Sequence, residues 1–218
     1  MTATLDYRGD IAIVTLGDDF NVFAPDMLDS ISVMLDRITS SASGLVTIGS
    51  GKFYSNGLDL AWLKAHRGES EALLRQVEVT FAALLTLPMP TVAAVNGHAF
   101  GAGAMLALAH DYRVMREDRG FFCFPEVDVR VPFSPGMAAL IQSKASPRTT
   151  HTAMTEGHRY AAADALAAGL VDITAPQEDV LEAALTELAR VGRKDPATLK
   201  AIKTMMYQGV LDKLRQMD

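Results

Sequence analysis

The chain reads as an α/β protein, a layered core of short buried strands and helices followed by a helical last third. Two observations predict this. Two apolar runs, Gly44–Ile48 and Thr91–Val95, are each bounded by turn residues and lead through a glycine-containing turn into helix-like sequence. From Pro135 onward the pattern is almost wholly helical. The 218 residues are 49% hydrophobic, enough for one substantial core.

In order, residues 5–7 and 11–16 read as two strands around Gly9-Asp10, a hairpin. Pro25 suits the first turn of a helix, and Leu28, Ile31, Leu35 and Ile38 give that helix one apolar face. Residues 45–48 form a buried strand, followed by a glycine turn and a brief helical stretch with Trp62 and Leu63. Leu73, Leu74, Val77, Phe81, Leu84 and Leu85 mark a stronger helix, which Pro88 and Pro90 end. Residues 91–95 are a buried strand, and an apolar helix runs from 101 to about 110. Strands follow at 112–115 and 121–124, and Pro132, Pro135 and Gly136 make a loop. Within the helical remainder, a strand is expected at 170–173 after Gly169 as a helix-terminating glycine. Asp195-Pro196 caps and opens the last helix. The expected division is an α/β core over 1–172 and a C-terminal helical region over 173–218.

Composition excludes several classes. A net charge of −6 and a pI near 5.3 leave no global basic footprint for nucleic acid, though a local basic patch for a phosphorylated small ligand is compatible. The single cysteine, Cys123, rules out an intrachain disulfide framework and fits a reducing compartment. Its setting between aromatics, Phe121-Phe122-Cys123-Phe124, favours a structural thiol over a nucleophile. The N-terminus lacks a signal-peptide pattern, and the longest apolar runs are too broken to span a membrane. The ending Arg215-Gln216-Met217-Asp218 is no peroxisomal Ser-Lys-Leu address. The expectation is a cytoplasmic protein.

Two segments carry the chemistry: Phe53-Tyr54-Ser55-Asn56-Gly57-Leu58-Asp59-Leu60 and Asn96-Gly97-His98-Ala99-Phe100-Gly101-Ala102-Gly103. A sharp turn into a helix exposes unpaired N–H groups, and glycine lets that backbone approach a ligand. Two such turns facing each other could hold one oxygen between two N–H donors, the recipe for an oxyanion hole. Duller readings exist: Asn56-Gly57 is also a plain turn signal, and Gly103 fits close packing of helix on sheet. Rival motifs fail. Gly101-Ala102-Gly103-Ala104-Met105-Leu106 ends on a large residue where a dinucleotide fingerprint needs a small one. Gly49-Ser50-Gly51-Lys52-Phe53 lacks the ending of a phosphate loop, and Pro132-Phe133-Ser134-Pro135-Gly136 lacks the first glycine of a nucleophile elbow. The histidines at 66, 98, 110, 151 and 158 show no metal-ligand spacing.

These two segments, together with Phe124-Pro125-Glu126 and the spacing between the blocks, resemble the crotonase (enoyl-CoA hydratase/isomerase) superfamily. Gly57-Leu58-Asp59-Leu60, and Asn96-Gly97-His98-Ala99 leading to His110-Asp111-Tyr112, are most similar to its monofunctional enoyl-CoA isomerases. The resemblance implies a crotonase fold: repeated ββα units in two near-perpendicular sheets, plus C-terminal helices that build a trimer or a dimer of trimers. It implies backbone oxyanion donors at Leu58 and Ala102, and substrate contacts from Asn56, Gly57, Asp59, Leu60, Gly101 and Met105. Hydratases of the family use two glutamates; the two positions here are Met105 and Glu126. One acid is present and the other is replaced by an apolar side chain, the isomerase pattern. A lone carboxylate suffices to move a proton from C2 to C4 of an acyl thioester without water, through a dienolate held by the N–H donors.

The reading is therefore an enoyl-CoA isomerase acting on an acyl-CoA thioester, with no metal and no cofactor beyond the CoA of the substrate. Two alternatives stay open: a hydratase or CoA-thioester lyase using Glu126, and a non-catalytic CoA-ester-binding homologue. Glu126 itself has a plain alternative as a partly exposed loop residue. Asp128 is a weaker acid candidate, and Lys52, Lys64 and Lys203 are candidates for CoA phosphates.

Overall fold

A computed structural model describes residues 3–17 and 19–216. A hairpin of β1 (Thr4–Arg8) and β2 (Ile11–Thr15) opens the chain. From β2 onward the chain repeats one unit: a buried strand, a second very short strand, then a helix. The first is β2, β3 (Val22–Phe23) and α1 (Pro25–Thr39); the second is β4 (Gly44–Ile48), β5 (Phe53–Ser55), β6 (Gly57–Leu58), α2 (Leu60–Ala65) and α3 (Ser70–Leu85). The third is β7 (Thr91–Val95), β8 (His98–Phe100) and α4 (Ala102–Leu108); the fourth is β9 (Tyr112–Arg116), β10 (Phe122–Cys123) and α5 (Glu126–Val129). Then come α6 (Pro135–Lys144), α7 (Pro147–Glu156), α8 (Ala162–Ala167), β11 (Ile173–Ala175), α9 (Val180–Val191), α10 (Pro196–Met206) and α11 (Gln208–Arg215).

The longer strand of each unit joins one large sheet in the order β1-β2-β4-β7-β9-β11, parallel throughout except for the β1–β2 hairpin. The short strands pair apart from it, β10-β8-β5 in one sheet and β3-β6 in another. A parallel sheet is covered on both faces, so its strands read as continuous apolar runs. All of β7 is buried, as is β4 up to Thr47.

Helix boundaries follow local chemistry. Pro25, Pro135, Pro147 and Pro196 each stand in a first helical turn, where the missing N–H costs nothing. Ser134, Ser146 and Asp195 cap their helices through the side chain. The expected apolar face of α1 is buried at Leu28, Ile31, Leu35 and Ile38. In α3, Leu73, Val77, Phe81, Leu84 and Leu85 are buried and Leu74 is half-buried.

Three expectations are corrected. The glycine turns do not pass straight from strand to helix, because β5, β6 and β8 intervene. The strand expected at 170–173 begins at Ile173; Gly169 does follow α8 with φ 72°, but residues 170–172 bond to α8 and to Arg113 first. The division at 172/173 cuts the large sheet, since β11 pairs with β9 and α9 packs on β4, β7 and β9. The core therefore extends through α9, and the C-terminal helices are α10 and α11. Of the ending Arg215-Gln216-Met217-Asp218, the last two residues lie outside the described residues. Among the described residues no helix is long and apolar enough to cross a membrane.

Candidate active site

A cavity of about 590 Å³ opens where β3 and β6, the start of α4, and the β10–α5 segment converge. Backbone contact between the two glycine turns builds its floor. Gly57 has φ 78°, and a Cβ there would lie 2.7 Å from the Phe100 carbonyl oxygen and 3.1 Å from the Ala102 nitrogen. A Cβ at Gly103 would lie 2.4 Å from the Ser55 carbonyl oxygen. Both positions require glycine because backbone meets backbone there.

Two amide groups face this junction. Phe23 lies opposite Leu58 in the parallel β3–β6 pair and accepts from the Asp59 N–H at 3.1 Å. In a parallel ladder a residue bonds to the two neighbours of its opposite number, so the Leu58 N–H points out of the pair. Ala102 is the first residue of α4, and its N–H has no partner one turn back. Gly101, with φ 53°, makes the bend that starts α4. Asn21, in left-handed backbone at φ 51°, fastens the β3 segment to β5 by donating to the Phe53 and Tyr54 carbonyls at 3.0 and 3.2 Å.

Glu126 stands at the start of α5 on the far side of Gly101. A Cβ at Gly101 would come within 3.1 Å of its Oε1. Its Oε2 is buried without a hydrogen-bond partner. Burial pushes the Glu126 carboxyl up to about 7, against a smaller downward effect of its own backbone N–H. The group is thus poised between acid and base near neutrality. The sign for stability follows. The folded-state value lies above the ordinary 4.5, so this contribution is full below about pH 4.5 and is lost as pH rises through 7. Relative to Glu126→Gln, the unfolding free energy of the wild type is expected to fall between pH 5 and 8, by at most ~3 kcal/mol. Denaturant titrations of both proteins at each pH check this.

Of the residues expected at the site, Leu58, Ala102 and Glu126 line the cavity together with Asn56, Asp59, Leu60 and Gly101. Gly57 and Met105 do not. Gly57 lies behind the junction of the turns, and Met105 is buried in the main core at 1% exposure. Met105→Glu would bury a carboxylate there and is expected to cost roughly 3–5 kcal/mol at pH 8 and less at pH 5, measured by denaturant unfolding. The Asp59 carboxylate caps α2 by accepting from the Trp62 N–H at 2.9 Å. Asp128 is exposed and lies by Gly157. Lys52 and Lys64 are exposed outside the cavity wall. Lys203 is buried and donates to Asp111 at 2.6 Å and to the Met89 carbonyl at 2.8 Å, so it is a core ion pair rather than an available cation.

Sequence reasoning missed Phe20, Val22, Phe100, Val129 and Val131, which make the wall apolar, and it missed Arg159. Cys123 also lines the cavity; burial pushes its thiol up to about 11, and its S–H donates to the Gly157 carbonyl, as expected of an unreactive thiol. The far end of α4 is held by an oriented chain of hydrogen bonds. His110 Nδ1 donates to the Leu106 carbonyl at 2.8 Å, which leaves Nε2 to accept from Thr47 at 3.0 Å, and Thr47 accepts from Tyr54 at 2.8 Å. Burial lowers His110 to about 4, so it stays neutral and this order persists at physiological pH. Among the described residues no group of His, Cys, Asp or Glu is arranged to hold a metal ion.

Two backbone donors beside one poised carboxylate suit enolate chemistry on a thioester, and the comparisons point the same way. The family profile described as "Enoyl-CoA hydratase/isomerase" matches residues 6–217. The chain belongs to the enoyl-CoA hydratase/isomerase family. Within it, the chain is 40% identical over 194 residues to enoyl-CoA delta isomerase 3 of Arabidopsis thaliana, covering 84% of this chain and 82% of that protein. It is 38% identical over 202 residues to the peroxisomal enoyl-CoA delta isomerase 2 of the same plant, covering 88% and 83%. In structure it resembles an apo enoyl-CoA isomerase of Mycobacterium tuberculosis with a TM-score of 0.90 at 23% identity, over 98% of this chain and 94% of the other. That likeness shows the crotonase fold.

Proposed function

We propose that the chain is an enoyl-CoA isomerase that moves a 3,4 double bond of an acyl-CoA thioester to the 2,3 position. The observation that carries this reading is the half-buried carboxylate of Glu126, raised to about 7, beside the Leu58 and Ala102 amides. Similarity to delta isomerases over most of the chain supports it.

The Glu126 carboxylate removes a proton from C2. The C–H electrons pass into the thioester, and the negative oxygen of the dienolate is met by the Leu58 and Ala102 N–H groups. The protonated Glu126 then returns the proton to C4, and the electrons close a C2–C3 double bond. Atoms balance without water, oxidant or a cofactor beyond the CoA of the substrate. Adding water across a double bond would call on a second acid, and the matching position holds the apolar Met105. Assembly through the C-terminal helices is part of the proposal, and exposed Ile202, Met205 and Met206 on α10 are its apolar contact. Light scattering should report a trimer or hexamer.

The test offers the purified protein 3-enoyl-CoA and 2-enoyl-CoA separately and weighs the products. Conversion of the first at unchanged mass is expected. A gain of one water from the second would make the protein a hydratase, and turnover of neither would make it a binding protein.

A further inference from the structure

We infer that Arg159 anchors an anionic group of the thioester substrate at the β10 edge of the cavity, an assignment that rests on the isomerase reading of the site. Three charged side chains line the cavity: Asp59, Glu126 and Arg159. Asp59 is engaged as the cap of α2, and Glu126 stands at the junction of the turns. Arg159 is the cation among them, and no described carboxylate lies within ion-pair distance of it.

Its place is fixed from both sides. Tyr160 and Phe122 exchange backbone hydrogen bonds of 3.0 and 2.9 Å, and Gly157 accepts from Cys123 at 3.3 Å. Arg159 sits between these two ties, on the β10 side of β8, whereas β5 lies on the other side. The cavity lining thus combines the apolar Phe20, Val22 and Leu60, the Leu58 and Ala102 segments, Glu126 and the cationic Arg159. The charge of Arg159 is felt at the Cys123 thiol, though burial dominates there. A guanidinium offers a planar fork of donors that matches carboxylate or phosphate oxygens. The substrate has two sources of such oxygens: the CoA phosphates, and a carboxylate at the far end of the acyl chain.

Binding of inert saturated thioesters to wild type, Arg159→Met and Arg159→Lys, followed by calorimetry, separates these. The probes are a neutral acyl-CoA, the same acyl group on pantetheine without phosphates, and a pantetheine thioester whose acyl chain ends in a carboxylate. Arg159→Met is expected to weaken one anionic probe ~tenfold, leave the neutral pantetheine thioester unchanged, and be largely rescued by lysine. The difference should shrink at high salt, since Arg159 is exposed. Loss confined to acyl-CoA assigns the phosphates; loss confined to the carboxylated probe assigns the acyl terminus. Equal affinities for all three probes, or equal loss on the neutral one, would overturn the assignment. Calorimetry needs no turnover, so Arg159-dependent binding without isomerisation would leave the anchor standing and remove the isomerase reading.

Discussion

Glu126→Gln is expected to lower kcat for 3-enoyl-CoA by ~10²–10⁴-fold while leaving the fold and thioester affinity near wild type. Glutamine keeps the shape and loses the base. In the proposed mechanism the ionised form starts the reaction, so kcat/KM should rise with pH and level off above about 7, where burial has placed the Glu126 carboxyl. The variant's residual rate should show no such step. Activity then gains over the same pH interval in which the ionised carboxylate lowers stability, and both trends should vanish together in the variant. Near-normal turnover in Glu126→Gln would move the proton shuttle elsewhere. Asp128, exposed and beside Gly157, would be tested next.

Ala102→Pro is expected to cost ~10²–10³ in rate, because proline has no N–H to offer the developing oxyanion. Position 102 opens α4, so no intrahelical bond is lost, and Gly101 ahead of it adopts φ 53°, ψ −124°, open to glycine alone. Ala102→Gly keeps the N–H and should keep substantial activity. Circular dichroism and melting run beside the isomerase assay separate chemistry from folding. A folded Ala102→Pro protein with wild-type turnover would show that this amide does not hold the thioester oxygen.

Elements long enough to carry a period were legible from residues alone. The apolar faces of α1 and α3, and the buried β4 and β7, stand close to their expected bounds. The strands of two or three residues were not, since β3, β5, β6, β8 and β10 are too short to show alternation and exist by virtue of their partners. This matters for the site, because Leu58 presents its amide from a strand and Ala102 from a helix start. Glycines 57 and 103 were legible as close-approach positions, and the contacts explain each one. Glu126 stood out through the family resemblance, yet its raised proton affinity comes from burial that no local pattern encodes. Arg159 left no signal: the Tyr160–Phe122 pairing brings it to the cavity from 33 positions beyond Glu126.

The buried contacts of Lys203 bear on how the molecule can be dissected. From α10 its ammonium reaches back to Asp111 and to the Met89 carbonyl, and the same Asp111 carboxylate also accepts from the Thr91 N–H at 2.9 Å. α11 in turn lies on α3 and α6. Trimming the chain before α10 would uncover the faces of α3 and α6 and strand a carboxylate whose counter-ion had gone. The last two helices are thus not a detachable module that could be grafted, swapped or removed while the αβ core carried on. They are a late-synthesised clasp, and a ribosome-bound chain lacking them would carry the Asp111 carboxylate without its Lys203 counter-ion.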